Sequence, residues 1–195
     1  MQILKDEREF EGQACSVALG MFDGVHLGHR RLIETAVALA RADGILSAVD
    51  TFATHPLQVL CPERAPAQLL TNEQRARRMA ALGVDVLVMR PFTLEYAAQP
   101  PELFLERLCE SLRPRHIVVG YNYTFGRRGE GDANLLEELS GRYGYRLTVI
   151  EPVTVGGEPV SSTRIRHLLA EGRRAEAEAL MGADPKMARH SVKFC

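Results

Sequence analysis

Short apolar runs alternate with amphipathic segments along this chain, and no other feature limits its fold so tightly. Strands are predicted over residues 14–19, 45–52, 84–89, 116–119 and 146–150. Each is a continuous apolar run, the pattern of a strand covered on both faces. Helical patterns lie between them, over 30–42, from 71 to 83, over 100–112 and over 133–143. In the first, Leu32, Ile33, Ala36, Val37, Leu39 and Ala40 recur at helical spacing and Asp43-Gly44 stops it. Thr71-Asn72-Glu73-Gln74 reads as a capping box opening the second, and Pro100-Pro101-Glu102 opens the third. Strand, helix, strand repeated in this way makes right-handed crossovers. The expected fold is α/β, an open doubly wound parallel sheet of five strands with helices on both faces. Ligands of such sheets bind beyond the carboxyl ends of the strands, where the strand order reverses.

Past Ile150 the pattern changes. Residues 153–160 suggest a tight hairpin around Gly156-Gly157, and short helices follow over 164–170 and 173–181. They read as a small C-terminal hairpin-plus-helices extension. One domain over residues 1–182 and a tail over 183–195 account for the chain. Its 24 basic and 25 acidic residues leave a formal net charge of −1, so no bulk charge draws it to nucleic acid or an anionic membrane. No apolar run approaches the length of a membrane span, and residues 1–8 are too charged for a secretory signal. Cysteines at 15, 61, 109 and 195 are too widely spaced for a zinc site or a redox pair. Reduced thiols in a cytoplasmic protein are expected, with small molecules rather than nucleic acid or membrane as partners. The oligomeric state stays open.

The first strand runs into Gly20-Met21-Phe22-Asp23-Gly24-Val25-His26-Leu27-Gly28-His29, and a helix follows at once. A glycine-rich turn feeding a helix start aims backbone N–H groups and the positive end of the helix dipole at an anion. His-x-Gly-His adds two imidazoles there, and Gly28 permits close approach. A bound polyphosphate would also raise the histidine pKa values. The bland alternative is two helix-start histidines making local bonds, but the context of strand, glycines and helix favours phosphate binding. A second constellation is Ser161-Ser162-Thr163-Arg164-Ile165-Arg166. One hydroxyl there is expected to cap the helix. Two arginines in the same turn oppose the dipole, and a docked anion would offset that cost. Together the two motifs suggest a polyphosphate held from two sides.

Gly20 through His29, Phe52-x-x-His55-Pro56, Pro91-Phe92-Thr93, Gly120-Tyr121-Asn122-Tyr123-Thr124-Phe125-Gly126 and the 161–166 segment occur in this order. As a set they resemble the FAD synthetase (FMN adenylyltransferase) module of prokaryotic bifunctional riboflavin kinase/FAD synthetases, over residues 19–182. The resemblance implies a Rossmann-like nucleotidylyltransferase fold. It also implies the conversion of ATP and FMN to FAD and pyrophosphate with Mg²⁺. By the same resemblance His26 and His29 hold the ATP phosphates and stabilise the transition state. Gly20, Phe22, Asp23, Gly24 and Gly28 shape that pocket, and Ser161, Ser162, Thr163 and Arg166 close over the phosphates. Asn122 contacts the flavin phosphate or the reacting centre. Tyr121, Tyr123 and Phe125 alternate and either share a side near the isoalloxazine or pack as half-buried residues. His55 is either an FMN-site residue or a turn histidine. An FMN phosphate is already a competent nucleophile, so the site must align it and neutralise charge rather than supply a base.

Four positions depart from the family pattern or vary within it. Met21 stands where asparagine is common, and Ala53-Thr54 replaces an acidic residue and proline before His55. A metal-binding role for that acid would pass to Asp23, to Asp50 or to the substrate phosphates. Asn122 is aspartate in many relatives. The residues after 182 are unlike the continuation into a riboflavin kinase module, so riboflavin phosphorylation is not expected: either FMN comes from another enzyme or the chain is a fragment. Metal ligands are not legible. The alternatives to FMN adenylyl transfer are a related enzyme with another phosphorylated acceptor and a non-catalytic flavin or nucleotide binder.

Overall fold

The computed structural model describes residues 1–12 and 14–182, so the expected tail over 183–195, with Cys195, lies outside the described residues. Strands β1 (Gln2–Leu4), β2 (Cys15–Leu19), β3 (Leu46–Phe52), β4 (Val86–Arg90), β5 (Pro114–Gly120) and β6 (Arg146–Ile150) form one sheet in the order β1-β4-β3-β2-β5-β6. Every pairing in it is parallel. From β2 the chain winds outward through β3 and β4 on one side and through β5 and β6 on the other. The order therefore reverses between β2 and β5, and a crevice opens there.

The expected sheet had five strands; it has six. The extra one, β1, pairs with β4 at the edge, with Gln2 opposite Val86 and its N–H donating to Asp85 O at 2.7 Å. Three residues with one buried side chain, Leu4, followed by charged residues make no apolar run. Pairing rather than hydrophobicity defines that strand.

Helix α1 (Leu27–Asp43) starts three residues ahead of its expected beginning at Arg30, because His26 caps it. Gly44, at φ 65°, ends it in the left-handed conformation that favours glycine. After β3 come α2 (Pro56–Leu60) and α3 (Asn72–Ala81), the latter opened by the expected Thr71–Gln74 capping box. Short α4 (Leu94–Ala97) and α5 (Pro101–Leu112) follow β4, and α6 (Ala133–Tyr143) follows β5. The two-stranded hairpin of β7 (Thr154–Val155) and β8 (Glu158–Pro159) turns on Gly156 and Gly157, both at positive φ.

Residues next to each other in a strand serve opposite cores, as a pleat requires. Ala18, Val49, Leu87 and Val118 pack with Ile33 and Val37 of α1 and Met79 of α3. Val17, Ala48, Val88 and Ile117 pack with Leu105 and Leu108 of α5 and Leu136 of α6. The final helices, α7 (Ser162–Ala170) and α8 (Arg174–Met181), bring Ile165, Leu168, Ala177 and Leu180 into the first of these cores. What looked like an extension completes one face of the sheet. Among the described residues no helix is long and apolar enough to cross a membrane.

Candidate active site

A cavity of about 740 Å³ lies at the carboxyl ends of β2 and β5. Gly20, His26 and His29 line it from the first crossover, Gly120 and Asn122 from the end of β5, and Ser161 and Ser162 from the start of α7. Segments more than a hundred residues apart in sequence thus meet at the point where the sheet order reverses.

The first crossover turn is held under strain. Phe22 (φ 47°) and Val25 (φ 42°) are in the left-handed region, which costs a side-chain-bearing residue roughly 1–2 kcal/mol each. Arg75, fully buried on α3, keeps the turn in that shape. Its Nε donates to Phe22 O at 3.2 Å and its Nη2 to Met21 O at 2.6 Å. The remaining donors reach Thr51 Oγ1 at 2.7 Å, Phe52 O at 2.8 Å and Asn72 Oδ1 at 3.0 Å. Every N–H of the guanidinium is engaged. Burial lowers its pKa to about 10, so it remains a cation at neutral pH. The turn's glycines have steric reasons. A Cβ on Gly24 would meet Leu69 Cδ1 at 2.9 Å, and one on Gly28 would press on the His26 ring at 3.2 Å.

His26 Nδ1 accepts the His29 backbone N–H at 3.2 Å and so caps α1. Because Nδ1 is an acceptor, the His26 proton sits on Nε2, which is left as a donor. The two imidazoles stack with centroids 3.6 Å apart, and Phe22 meets His29 edge-on at 5.2 Å. Burial pushes the His26 pKa down to about 4. Burial, then the neighbouring His26 and Arg75, hold His29 well below the ordinary histidine range. Its Nδ1 is buried without a partner. Without a ligand both rings are neutral hydrogen-bonding groups.

The wall beside the turn is aromatic. Phe92 meets Phe52 at 5.0 Å, Phe52 meets Tyr96 at 5.2 Å, Phe104 meets Phe125 at 5.1 Å and Phe125 meets Tyr123 at 5.8 Å, all lining the cavity. Tyr121 also lines it but is exposed, so the three alternating aromatics split. Phe125 belongs to the core cluster, with Tyr123 packed against it, while Tyr121 stands free of that cluster. Behind this wall Arg90 pairs with Asp50 and, at 2.8 Å, with Glu7. Asp50 borders the cavity, and burial pushes its carboxyl up to about 6 against the attraction of Arg90.

On the α7 side Ser161 is the N-cap, its Oγ accepting from Arg164 N–H at 3.1 Å. Ser162 lines the cavity; Thr163 is exposed and does not. The arginines there do not await an anion. Arg164 donates to Val155 O at 3.0 Å and Glu158 O at 2.9 Å, tying the hairpin to the helix. Arg166 pairs with Asp23 and donates to Ala67 O at 2.7 Å, outside the cavity lining. Their charge near the helix start is compensated within the chain, so the dipole argument for a docked anion does not hold at this end. Asp23 also accepts from Leu69 N–H at 3.2 Å. His55 caps α2, its Nδ1 accepting from Leu57 N–H at 3.1 Å, which fits the turn-histidine reading. Among the described residues no group of three or more His, Cys, Asp or Glu side chains could hold a metal. Of the candidate acids, Asp23 is tied to Arg166 and Asp50 to Arg90.

Sequence reasoning missed Arg75, the pairing of Asp50 with Arg90, and the roles of Phe92, Tyr96 and Phe104. The sequence singles out Asp50 only as a candidate metal acid, and Phe92 only within the Pro91-Phe92-Thr93 motif.

This sheet order, with a His-x-Gly-His helix start at the reversal, is that of a nucleotidyltransferase-like α/β domain. A Streptococcus pneumoniae structure described as a macrolide-efflux protein has the same fold, with a TM-score of 0.80 and 28% identity over 93% of this chain and 61% of that one. A family model described as FAD synthetase matches residues 9–164, and the chain belongs to that family. It is 38% identical over 168 residues to a bifunctional riboflavin kinase/FMN adenylyltransferase of Listeria monocytogenes, covering 85% of this chain and 53% of the relative. A protein of the same organism named FAD synthetase is 34% identical, covering 88% of this chain and 70% of its own length. The chain thus spans about half the length of the bifunctional relatives it matches.

Proposed function

We propose that this chain is an FMN adenylyltransferase, joining ATP and FMN to give FAD and pyrophosphate. The observation that carries the reading is a single cavity with His26, His29 and Ser162 at one side and a string of aromatic rings along another. A flat apolar ring system suits the aromatic wall, and a triphosphate suits the helix start. One phosphate oxygen of FMN attacks the ATP α-phosphorus in line. The new P–O–P bond forms as the bond to the β-phosphate oxygen breaks, and pyrophosphate leaves. No proton has to be removed from the nucleophile. The chain must align the two phosphates and stabilise charge on the α-phosphate and the leaving group.

The His26 Nε2–H and the His29 ring supply neutral donors to these oxygens at the start of α1. Gly20, Phe22, Gly24 and Gly28 give the turn its shape. Ser162 adds a hydroxyl, and Ser161 sets the start of α7. Asn122, exposed at the end of β5, holds the acceptor phosphate, with Tyr123 and Phe125 beside the ring. Arg166 acts on the turn through Asp23, and a direct role on phosphate requires it to leave that pair. Thr163 and His55 enter only through the ends of α7 and α2. Mg²⁺ would be held by the ATP oxygens and water, since Asp23 and Asp50 are already paired, and would add positive charge at the phosphates. A soluble small-molecule enzyme of the cytoplasm fits this chemistry.

The test is direct. Folded protein incubated with ATP, MgCl₂ and FMN is expected to release pyrophosphate and form FAD, read by the fall in flavin fluorescence and by chromatography. Pyrophosphate release with a different phosphorylated acceptor, or flavin binding with no turnover, would overturn the assignment.

A further inference from the structure

Bringing ATP beside a phosphomonoester gathers several negative charges in one cavity, and the cations near it are mostly committed. Arg75 has no free donor, Arg90 is paired with Asp50 and Glu7, and Arg166 is paired with Asp23. Arg164 is tied to the hairpin, and the two histidines are neutral. Arg128 differs. Among the described residues it is the sole arginine or lysine lining the cavity, and it makes no hydrogen bond or ion pair with another side chain.

Arg128 is also held in place. Its backbone is left-handed, φ 56° and ψ 17°, between Gly126 at 73° and Gly129 at 71°. The loop that carries it is closed by a pair of bonds between Phe125 and Gly131, each 2.9 Å, and anchored by Arg127 N–H on Gln99 O at 2.7 Å. A Cβ on Gly126 would strike Pro101 at 2.7 Å, so the loop packs tightly on α5. Neighbouring Arg127 turns to Glu130 at 3.2 Å, leaving Arg128 alone at the cavity. An arginine in a strained conformation, with a charge that no ion pair among the described residues neutralises, is the arrangement expected of a residue completed by a ligand.

We propose that Arg128 binds the phosphate of the acceptor and so selects a phosphorylated flavin over the free one. The inference rests on the FMN adenylyltransferase reading. The acceptor phosphate is the choice over ATP because Arg128 shares the β5–α6 loop with Asn122, Tyr123 and Phe125. The nucleotide already has the start of α1 and Ser162.

The test measures FMN and riboflavin binding by flavin fluorescence, and KM for ATP, in wild type, Arg128→Lys and Arg128→Asn. Asparagine tolerates the left-handed backbone, so the loop keeps its shape. Loss of a charge-assisted phosphate contact is expected to weaken FMN binding roughly 10-fold to 100-fold in Arg128→Asn. Riboflavin binding and the ATP KM should stay within about twofold, since neither contact uses this side chain in the proposal. Lysine restores part of the FMN affinity, as a point charge without the fork. Equal losses for FMN and riboflavin, no loss for either, or a loss confined to ATP would each overturn the assignment of Arg128. Wild-type protein that binds neither flavin and forms no FAD overturns the underlying reading instead.

Discussion

The two sides of the cavity are built by different means. The first crossover turn is buried, contains two residues in the left-handed region and is fixed by one arginine with every donor engaged. The β5–α6 loop is exposed at Tyr121, Asn122, Thr124 and Arg128, and backbone bonds at its base hold it. Under the proposed function the difference separates two tasks. Donors that stabilise a transition state act best when their geometry is set before the substrate arrives. A surface that admits and releases a bulky acceptor needs access, and its polar groups can wait for the ligand to complete them. Substitutions in the turn should therefore alter stability and turnover, and substitutions in the loop should alter acceptor affinity.

The largest effect is expected at Arg75. Arg75→Met removes the donors to the Met21, Phe22 and Phe52 carbonyls and leaves those groups buried. Unsatisfied buried acceptors cost about 1–3 kcal/mol each, and partial relaxation brings the expected loss of unfolding free energy to about 3–5 kcal/mol. Urea unfolding at pH 7 measures it. Turnover in the surviving folded fraction should also drop, because Phe22 loses its hold under His29. A loss below about 1 kcal/mol would mean that the turn keeps its shape unaided, and the contrast between the two sides would disappear.

Next in size is His29→Ala. Removing one preorganised donor is expected to lower kcat on the order of 100-fold, with FMN binding within about twofold of wild type. A rise in the FMN KM with unchanged kcat would move His29 to the acceptor side and break the comparison from the other direction.

Much of this contrast was hidden in the sequence, for definite reasons. The parallel strands were legible because apolar runs bounded by helical patterns leave few alternatives. His26 and His29 were legible because their spacing sits between a strand and a helix. Arg75 was not: among Glu73, Arg77 and Arg78 it reads as one more charge on a solvated helix face, yet its register with Ala76 and Met79 turns it inward. The aromatic wall is assembled from β3, the stretch after β4, α4, α5 and the β5–α6 loop, and local spacing announced only its Tyr123 and Phe125 edge. Arg166 was legible as a charge but not as a partner of Asp23, because that pair joins residues 143 positions apart. The edge strand β1 was too short to give any pattern.

The smallest expected effect tests whether the turn's histidines are neutral before substrate binds. His26 carries its proton below about 4 in the folded chain, against an ordinary value of 6.5. Between these values the unfolded chain binds a proton that the folded chain does not. His26 therefore contributes stability above pH 6.5 that is lost as the pH falls toward 4. Asp50 has the opposite sign: its folded pKa of about 6 exceeds the ordinary 3.8, so it gains stability on acidification and masks part of the loss. His26→Asn separates the two, since asparagine caps a helix equally well and does not titrate. Moving from pH 7 to pH 5, wild type should lose about 2 kcal/mol more unfolding free energy than His26→Asn. Parallel pH profiles would mean that burial leaves this imidazole's titration unmoved, and a wild type that gains unfolding free energy relative to His26→Asn over this interval would place a charged imidazole in the resting turn. The cation for the incoming phosphates would then already be on the buried side of the cavity, and the division of labour between the two sides would fail.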